Sequence, residues 1–470
     1  MASPDESGVS TAAFYDATTL DPDVARRRTD ELAGRLAWSR ESILAFQQDR
    51  LREILRHAVD ASPFYRDKIG HLVASGAPFS AFPTMDKTIL MAEFDGIVTD
   101  PALTRALVEE HIRSPHAGHL LMGKYRVAAT GGSSGQRGIF VYDQEAWELT
   151  IASLRRMQRL IGVPSTAKAL GIVAPSPVHL SNRFAAEARV GHPDAPCLSV
   201  TTPIEEVVDA LNRYRPDVIT TYPSFIRRLA EEQKAGRLKI SPMLIRSGAE
   251  ALSPDVRDLA RAAWNVPVVN IYSSTEAGSM GSECQYLDGI HISEDTILLE
   301  IVDDANQPVP PGTPGSKALV TTLFNRTLPI IRYEFTDLLT AMEGACHCGC
   351  PFRRIRNIEG RQEEMLHVTT PEGRQVEVHA PRFWFHLVRV VGLRQYQFAQ
   401  LPKGIAVRIV PLPDHDPEIV RGAVDRIARA ALRDLGAADG YVEVQIVDKI
   451  ERAGAGAKQK LVETAPARIR

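Results

Sequence analysis

Short apolar runs alternate with amphipathic segments through the middle of the chain, and this alternation is the strongest constraint on its fold. Residues 205–211 and 225–233 are predicted to be helices. Strands that alternate with helices usually form parallel sheets with the helices packed on their faces. The predicted buried strands are residues 170–173, 218–221, 243–245 and 267–271. We therefore predict an α/β fold whose large N-terminal domain contains two parallel-type sheets with helices.

The segments on either side of the sheet region predict further units. Residues 1–20 are predicted to be a loose leader, and residues 23–59 have apolar positions at the three- and four-residue steps of a helix. Prolines and glycines at 307–315 precede a stretch rich in β-branched residues. This pattern predicts a β subdomain over about 285–350, within an N-terminal domain that spans residues 21–360.

A composition shift near Gly360 marks the start of a second domain, residues 361–470. Strands are predicted at 405–410 and 441–447, and Asp416-Pro417 fits the start of a helix between them. We expect a small, mobile C-terminal α+β domain that acts as a lid.

Length and charge restrict the class of protein. The chain has 470 residues, more than one ordinary core holds, and its formal net charge is −3. This charge gives no reason to expect binding to nucleic acid or to a membrane. No apolar run is long enough to cross a bilayer and the N-terminus lacks a signal pattern, so we expect a cytoplasmic protein.

A loop of glycines and hydroxyl residues at 130–138 is the strongest local motif. Closely spaced glycines allow backbone amides to approach an anion, so the loop can hold phosphates, although it lacks the Gly-Lys-Ser/Thr ending of a P-loop. A plain surface turn is the alternative. Further along, Glu276 follows a predicted strand and can hold Mg²⁺, and Asp337 can accept both hydroxyls of a ribose.

The order of the motifs is more specific than any one of them. The glycine-rich loop is followed by a strand with Ser-Thr-Glu, then Arg-Tyr-x-x-x-Asp, Gly-Arg-x-acid-acid, and a lysine in a C-terminal glycine-rich loop. This order resembles the adenylate-forming superfamily, which contains acyl-CoA synthetases, peptide-synthetase adenylation domains and firefly luciferase. The branch it resembles most is the phenylacetate–CoA ligase family, through the motifs at 46–47, 62–66, 82–87, 289–295 and 346–349.

The resemblance implies an AMP-forming ligase that uses ATP and Mg²⁺, and it implies a role for each motif. The catalytic residues would be Lys458, Thr275, Glu276 as the Mg²⁺ ligand, and Arg361, with Lys460 as the fallback for Lys458. The nucleotide would contact Thr130, Gly131, Gly132, Ser133, Ser134, Gly135, Gly248, Ala249, Glu250, Tyr272, Ser273 and Asp337. The small domain would pivot at Glu363. The acid pocket would depend on Tyr142, Ala174, Tyr222, Ser247 and Met280.

Four side chains of the types that bind metal ions occur in two separate segments of the chain. Cys284 and His291 stand in one, and Cys346 and Cys348 in the other, a set that suits a closed structural zinc site and that related sequences resemble. Cys350 is an alternative ligand or a free thiol, and reduced thiols without a metal are the other interpretation.

The acceptor of the acyl group stays open. Residues 365–378 predict a β-hairpin where ligases of this branch have a segment leading to the pantetheine tunnel, so we expect CoA to be a poor acceptor. The partners expected are a small carboxylic acid, aromatic or heteroaromatic by analogy, and a nucleophile in a biosynthetic reaction. An acyl-CoA or aryl-CoA ligase is the first alternative, and a non-catalytic nucleotide-binding regulatory protein is the second. A homodimer is also left open.

Overall fold

A computed structural model describes residues 19–130, 137–190, 192, 194–361, 365–379, 387, 390–453, 458–459 and 461–463. The predicted leader lies almost wholly outside the described residues. Leu20 is buried, and its backbone N–H donates to the Glu187 carboxylate at 3.2 Å.

Two helices and a break replace the single helix predicted over 23–59. Helix α1 ends at Gly34, a short 3₁₀ turn follows, and Ser39 caps α2 by accepting from the Ser42 N–H at 3.1 Å. The three- and four-residue spacing of apolar residues continues through this break, so the spacing alone did not reveal the N-cap at Ser39. The helices up to the first strands are α1 (Pro22–Gly34), α2 (Arg40–Ala61), α3 (Pro63–Ser75), α4 (Lys87–Ala92), α5 (Phe94–Ile97) and α6 (Arg105–Arg113).

The predicted strand and helix alternation is present. The strands are β1 (Arg126–Ala129), β2 (Ile139–Tyr142), β3 (Ala169–Val173), β4 (Leu198–Ser199), β5 (Val218–Thr221), β6 (Leu244–Ser247) and β7 (Val268–Ser274). The helices among them are α7 (Gln144–Ile161), α8 (Leu180–Arg189), α9 (Ile204–Tyr214), α10 (Pro223–Lys234) and α11 (Pro254–Trp264).

The large domain is built on one mixed sheet. Strands β3 to β7 pair in parallel, and β7 then turns back into an antiparallel series with β8 (Gly278–Glu283), β9 (Ile290–Ile292), β13 (Asp337–Ala341) and β14 (Arg354–Arg361). The α/β class is confirmed. In detail, the described parallel strands share one nine-stranded sheet instead of forming two, because the tight β7–β8 turn reverses the chain within the same sheet.

The stretch for which a β subdomain was predicted contains three strands of an antiparallel sheet. Strands β10 (Ile297–Val302), β11 (Lys317–Thr322) and β12 (Tyr333–Phe335) form an antiparallel sheet, and β13 and β14 return to the large sheet.

The C-terminal segment has its own apolar core. A hairpin of β15 (Met365–Thr369) and β16 (Gln375–His379) precedes β17 (Leu393–Leu401), β18 (Gly404–Pro411), helix α12 (Pro417–Asp434) and β19 (Tyr441–Ile446). The last strands are β20 (Arg452–Ala453), β21 (Lys458–Gln459) and β22 (Val462–Glu463). Phe398, Ile405, Val424 and Leu432 are fully buried in this core. Among the described residues, no helix is both long and apolar enough to cross a membrane.

Candidate active site

The carboxyl ends of four parallel strands supply most of the predicted site. Ala174 follows β3, Tyr222 follows β5, Gly248 follows β6 and Thr275 follows β7. In open α/β sheets this edge is where ligands bind. The parallel strands therefore bring these four residues to one edge of the sheet.

The turn between β7 and β8 holds Thr275 and Glu276. Gly278 has φ of +69°, and a Cβ there would lie 2.7 Å from the Thr150 Cγ2 atom, so this close approach requires glycine. The Tyr142 hydroxyl donates to the Thr275 carbonyl at 2.7 Å. Burial, with the Glu276 charge as a smaller cause, raises the pKa of Tyr142 above its usual range. The Glu276 carboxylate thus lies close enough to the Tyr142 hydroxyl to influence it electrostatically, and a carboxylate oxygen is a type of ligand that Mg²⁺ prefers.

Tyr272 and Asp337 form a direct pair. The Tyr272 hydroxyl donates to Asp337 Oδ2 at 2.7 Å, and both side chains are buried. Asp337 begins β13 opposite Arg361 in β14, so the sheet brings these two predicted residues together. The Arg361 side chain lies outside the described part of the chain.

The glycine-rich loop connects β1 and β2. Thr130 and Gly138 close it: the Thr130 N–H donates to the Gly138 carbonyl at 2.9 Å, and the Gly138 N–H donates to the Thr130 hydroxyl at 2.8 Å. The predicted phosphate-binding residues Gly131, Gly132, Ser133, Ser134 and Gly135 lie outside the described residues.

Tyr222 and Ala174 belong to a buried polar group that includes a histidine the sequence did not assign. The Tyr222 hydroxyl lies 3.2 Å from the Ser181 hydroxyl, which lies 2.8 Å from His179 Nδ1. The Asn182 side chain donates to the Ala174 carbonyl at 2.8 Å. His179 is the N-cap of α8 just past β3, and its place after a buried strand was the signal that could have identified it.

Lys458 approaches this group from the small domain. It begins β21 and is half-buried. Burial, with the positive charges of Lys458 and Arg137 as further causes, lowers the pKa of His179 to about 3. The structure therefore brings the predicted catalytic lysine near the carboxyl edge of the sheet. Lys460, the fallback, and Glu363, the predicted hinge, lie outside the described residues.

The remaining predicted residues lie along β6, β7 and β8. Ser247 ends β6, and its hydroxyl is buried with no hydrogen-bond partner among the described residues. Ala249 has φ of +67°, which is unusual for a residue with a Cβ. Ser273 sits at an irregularity in the β7–β8 pairing. Met280 is fully buried in the main apolar core.

A second group of side chains can hold a metal ion. The ligand atoms of Cys284, His291, Cys346 and Cys348 all lie within 4.8 Å of one another. Cys284 Sγ is 3.7 Å from Cys346 Sγ, and Cys348 Sγ is 3.4 Å from His291 Nε2. Tetrahedral zinc would hold two sulfurs about 3.8 Å apart and a sulfur and a nitrogen about 3.5 Å apart, so the donor set fits such an ion.

Cys350, the alternative ligand, is not part of this group. Its thiol is buried in an apolar cluster with Ile43 and Phe352, against which the proposed ligand Cys348 also packs. The set of four thus comes from the end of β8, from β9 and from the loop between β13 and β14.

Comparison with known proteins agrees with this geometry. A family model described as AMP-binding enzyme matches residues 193–317. A phenylacetate–coenzyme A ligase of Thermus thermophilus is 26% identical over 347 residues, which cover 70% of this chain and 72% of that protein. A second phenylacetate–coenzyme A ligase, from Pseudomonas putida, is 25% identical over 337 residues, covering 69% of this chain and 72% of the relative.

A solved structure has the same fold over nearly the whole chain. It is a 2-hydroxyisobutyryl-CoA ligase in the postadenylation state with R3-HIB-AMP, at 18% identity and a TM-score of 0.72, covering 96% of this chain and 95% of that one. Together with the site described above, these likenesses make the chain similar to AMP-binding enzymes and, over about 70% of its length, to phenylacetate–CoA ligases.

Proposed function

We propose that this enzyme activates an aromatic or heteroaromatic carboxylic acid with ATP to give an acyl-AMP, and then transfers the acyl group to a nucleophile. The observation that supports the proposal most is the position of Lys458. Its positive charge is close enough to lower the pKa of His179, which lies beside the pocket residues Tyr222 and Ala174. A cation there can meet both the carboxylate of the acid and the α-phosphate of ATP.

Each proposed role follows from the charge that the reaction creates. A carboxylate oxygen attacks the α-phosphorus, and the bond to pyrophosphate breaks, with the electron pair leaving on pyrophosphate. Bringing these anions together is costly unless cations and N–H donors are already in place. Lys458 is proposed to neutralise the attacking carboxylate and the α-phosphate, and Arg361 and the loop at 130–135 to bind the phosphates. Mg²⁺ held by Glu276 would supply further neutralisation of the phosphate charge.

The nucleoside end of ATP is proposed to bind at Asp337. The Tyr272 hydroxyl holds one Asp337 oxygen at 2.7 Å, which leaves the carboxylate fixed in orientation with capacity for further donors. Ribose hydroxyls are donors of that kind. Gly248 and Ala249, just past β6, are proposed to lie beside the adenine.

The acid pocket is proposed to lie between the ends of β3, β5 and β6. Tyr222, Ala174 and Ser247 are buried there, and Tyr142 and Met280 are fully buried on neighbouring strands. The buried Ser247 hydroxyl, without a partner among the described residues, suits an acid that carries a hydrogen-bonding substituent. The aromatic class itself rests on the likeness to phenylacetate ligases.

Two acceptors are supported by different observations. The hairpin of β15 and β16 lies directly after the large domain, where the sequence predicted it, and it favours a nucleophile other than CoA. The similarity to relatives named phenylacetate–coenzyme A ligase favours CoA as the acceptor and a thioester as the product.

Pyrophosphate exchange tests the activation step, and product mass tests the acceptor. The purified protein would be assayed with a panel of aromatic and heteroaromatic acids, with and without CoA. We expect acid-dependent exchange and little CoA-dependent release of AMP. Rapid AMP release with CoA and a thioester of the expected mass would assign the enzyme to the CoA ligases, and no exchange with any acid would contradict the proposed activation.

We also propose that Cys284, His291, Cys346 and Cys348 bind a structural zinc ion. Four protein ligands leave no open position for a substrate, so the role is to tie the loop between β13 and β14 to the edge of the large sheet.

A further inference from the structure

The strands that carry Lys458 are docked on the large domain. Arg452 pairs with Gln459, and Ala453 with Lys458, in the antiparallel ladder of β20 and β21. We call these four residues the lysine hairpin. Strand β20 contacts the start of α10 through Arg452, and strand β21 contacts Glu250, which follows β6, through Gln459.

Glu250 connects the two domains through its two carboxylate oxygens. Oε1 accepts the backbone N–H of Gln459 at 2.8 Å, and Oε2 accepts the backbone N–H of Ser224 at 3.1 Å. The Glu250 side chain is only 9% exposed. Ser224 is in the first turn of α10, whose N-cap residue Tyr222 makes no capping hydrogen bond with its side chain. A carboxylate is stabilised at such a helix start, so its position is fixed by the large domain.

Arg452 fastens the opposite strand of the lysine hairpin to the same place. Its Nη2 donates to the Ser224 hydroxyl at 3.1 Å, and its Nη1 lies 3.8 Å from Glu250 Oε1. The guanidinium also lies over the Phe225 ring at 5.9 Å. The lysine hairpin is therefore held at Arg452 on one strand and at Gln459 on the other, with Lys458 between them.

The backbone at Ala249 is consistent with a placed carboxylate. Its φ of +67° costs free energy for a residue with a Cβ, and such strain persists only where the surroundings hold it. This conformation sets the direction in which Glu250 leaves the strand end.

We propose that Glu250 is a positioning residue that fixes Lys458 for adenylate formation, a role distinct from the adenine contact predicted for it. The proposal rests on the proposed function of Lys458. The Gln459 amide is the neighbour of Lys458, so a hydrogen bond to it limits how far the lysine backbone can move. Lysine side chains lose much conformational freedom when they are ordered, and a fixed backbone reduces that cost at the moment of reaction.

Steady-state pyrophosphate exchange separates this role from an adenine contact. For Glu250→Ala and Glu250→Gln we expect the exchange kcat to fall roughly 10- to 100-fold, the worth of one or two hydrogen bonds to a charged group. The KM for ATP should change little, because the positioning acts on the reacting lysine. Transfer from a preformed acyl-AMP should keep its wild-type rate, because Lys458 is not needed for it.

Glu232→Gln is the matched control. Glu232 lies on α10, the helix whose first turn Glu250 contacts. Like Glu250 it binds an arginine, Arg237, but both members of this pair lie in the large domain. This variant should keep the wild-type exchange rate. Arg452→Gln is the second test variant, and it should lower the exchange kcat in the same direction as the Glu250 variants.

The other outcomes overturn the proposal in distinguishable ways. A raised KM for ATP with an unchanged kcat would make Glu250 a nucleotide contact. Equal losses in exchange and in transfer would make its role purely structural, and unchanged kinetics in Arg452→Gln and both Glu250 variants would remove the lysine hairpin contact from catalysis. Absence of exchange in the wild-type protein would instead refute the proposed function.

Discussion

His179 is a buried, neutral imidazole close to two cationic side chains. It caps α8, lies 2.8 Å from the Ser181 hydroxyl through Nδ1, and lies near the charges of Lys458 and Arg137. Burial is the main reason that its pKa falls to about 3, and the two cations add to it. A neutral ring can donate one hydrogen bond and accept another without adding a third positive charge to the pocket.

The lowered pKa of His179 predicts an acid-dependent loss of stability. The unfolded chain binds the proton below about pH 6.5, whereas the folded protein excludes it until about pH 3, so the stabilising contribution is present above pH 6.5 and is lost as the pH falls. Between pH 6 and pH 4 the wild type should lose roughly 1.4 kcal/mol per pH unit more than His179→Asn, which keeps a capping side chain. Urea titrations at pH 6, 5 and 4 measure this difference, and parallel pH profiles would contradict it.

The proposed role of Glu276 predicts that its replacement lowers Mg²⁺-dependent pyrophosphate exchange. Replacing Glu276 with Gln removes a charged oxygen ligand from the turn after β7, so pyrophosphate exchange should fall about 100-fold or more and respond weakly to added Mg²⁺. Exchange measured over a range of Mg²⁺ concentrations tests this. Glu145→Gln, at an exposed position in α7, serves as the control and should behave as the wild type. Wild-type exchange in Glu276→Gln at saturating Mg²⁺ would exclude Glu276 from the site.

At the scale of elements, local patterns revealed strands and helices but not the contacts between them. Apolar runs predicted β3 and β5 almost to the residue, because a buried strand needs an unbroken apolar segment. The Tyr272–Asp337 bond joins residues 65 positions apart, and the Glu250–Gln459 bond joins residues 209 positions apart. No periodicity connects such distant positions, and only the order of the motifs indicated that they share a site.

The caps and turns explain where the element predictions were wrong. The continuous helix predicted over 23–59 is broken at Ser39, because a serine side chain that binds the backbone can start a new helix inside an apolar period. The described parallel strands share one nine-stranded sheet with the antiparallel series, because Gly278 allows β7 to reverse into β8 within that sheet. Both differences arise from single residues with special backbone roles.

The cysteine and histidine group predicts one zinc ion per chain. The four ligand atoms already lie at separations that suit tetrahedral zinc, so metal analysis of protein purified without chelator should find about one equivalent. Cys348→Ser should lose the metal and unfold at a lower temperature, because zinc binding contributes directly to the folding free energy. Cys350→Ser is the control: its thiol is not one of the four grouped ligand atoms, so this variant should keep the zinc. Folded wild-type protein with no zinc would refute the site.

At the scale of the whole molecule, the small domain contacts the large one at several points besides the lysine hairpin. Arg394 in β17 binds the Glu231 carboxylate on α10 at 2.9 and 3.1 Å, and Ala251 packs against the small-domain core. Tyr396 makes a hydrogen bond with Ser253. These contacts involve polar or small side chains, and together with the lysine hairpin they join the C-terminal segment to residues that follow β6 and to α10.

Lys458 should be needed to make the adenylate and not to consume it. Attack on the α-phosphorus creates a site where one ammonium can contact two anions, and that need ends once pyrophosphate has left. Lys458→Ala should therefore lower pyrophosphate exchange at least about 100-fold, while the same variant supplied with preformed acyl-AMP transfers the acyl group at the wild-type rate. Lys460→Ala is the control and should be mild, because the resemblance assigns the reacting role to Lys458 and makes Lys460 only the fallback. If Lys460→Ala abolished exchange and Lys458→Ala did not, the roles of the two lysines would be reversed. If neither variant changed exchange, the small domain would not close over the site during activation, and the positive charge of Lys458 near His179 would have no part in the chemistry.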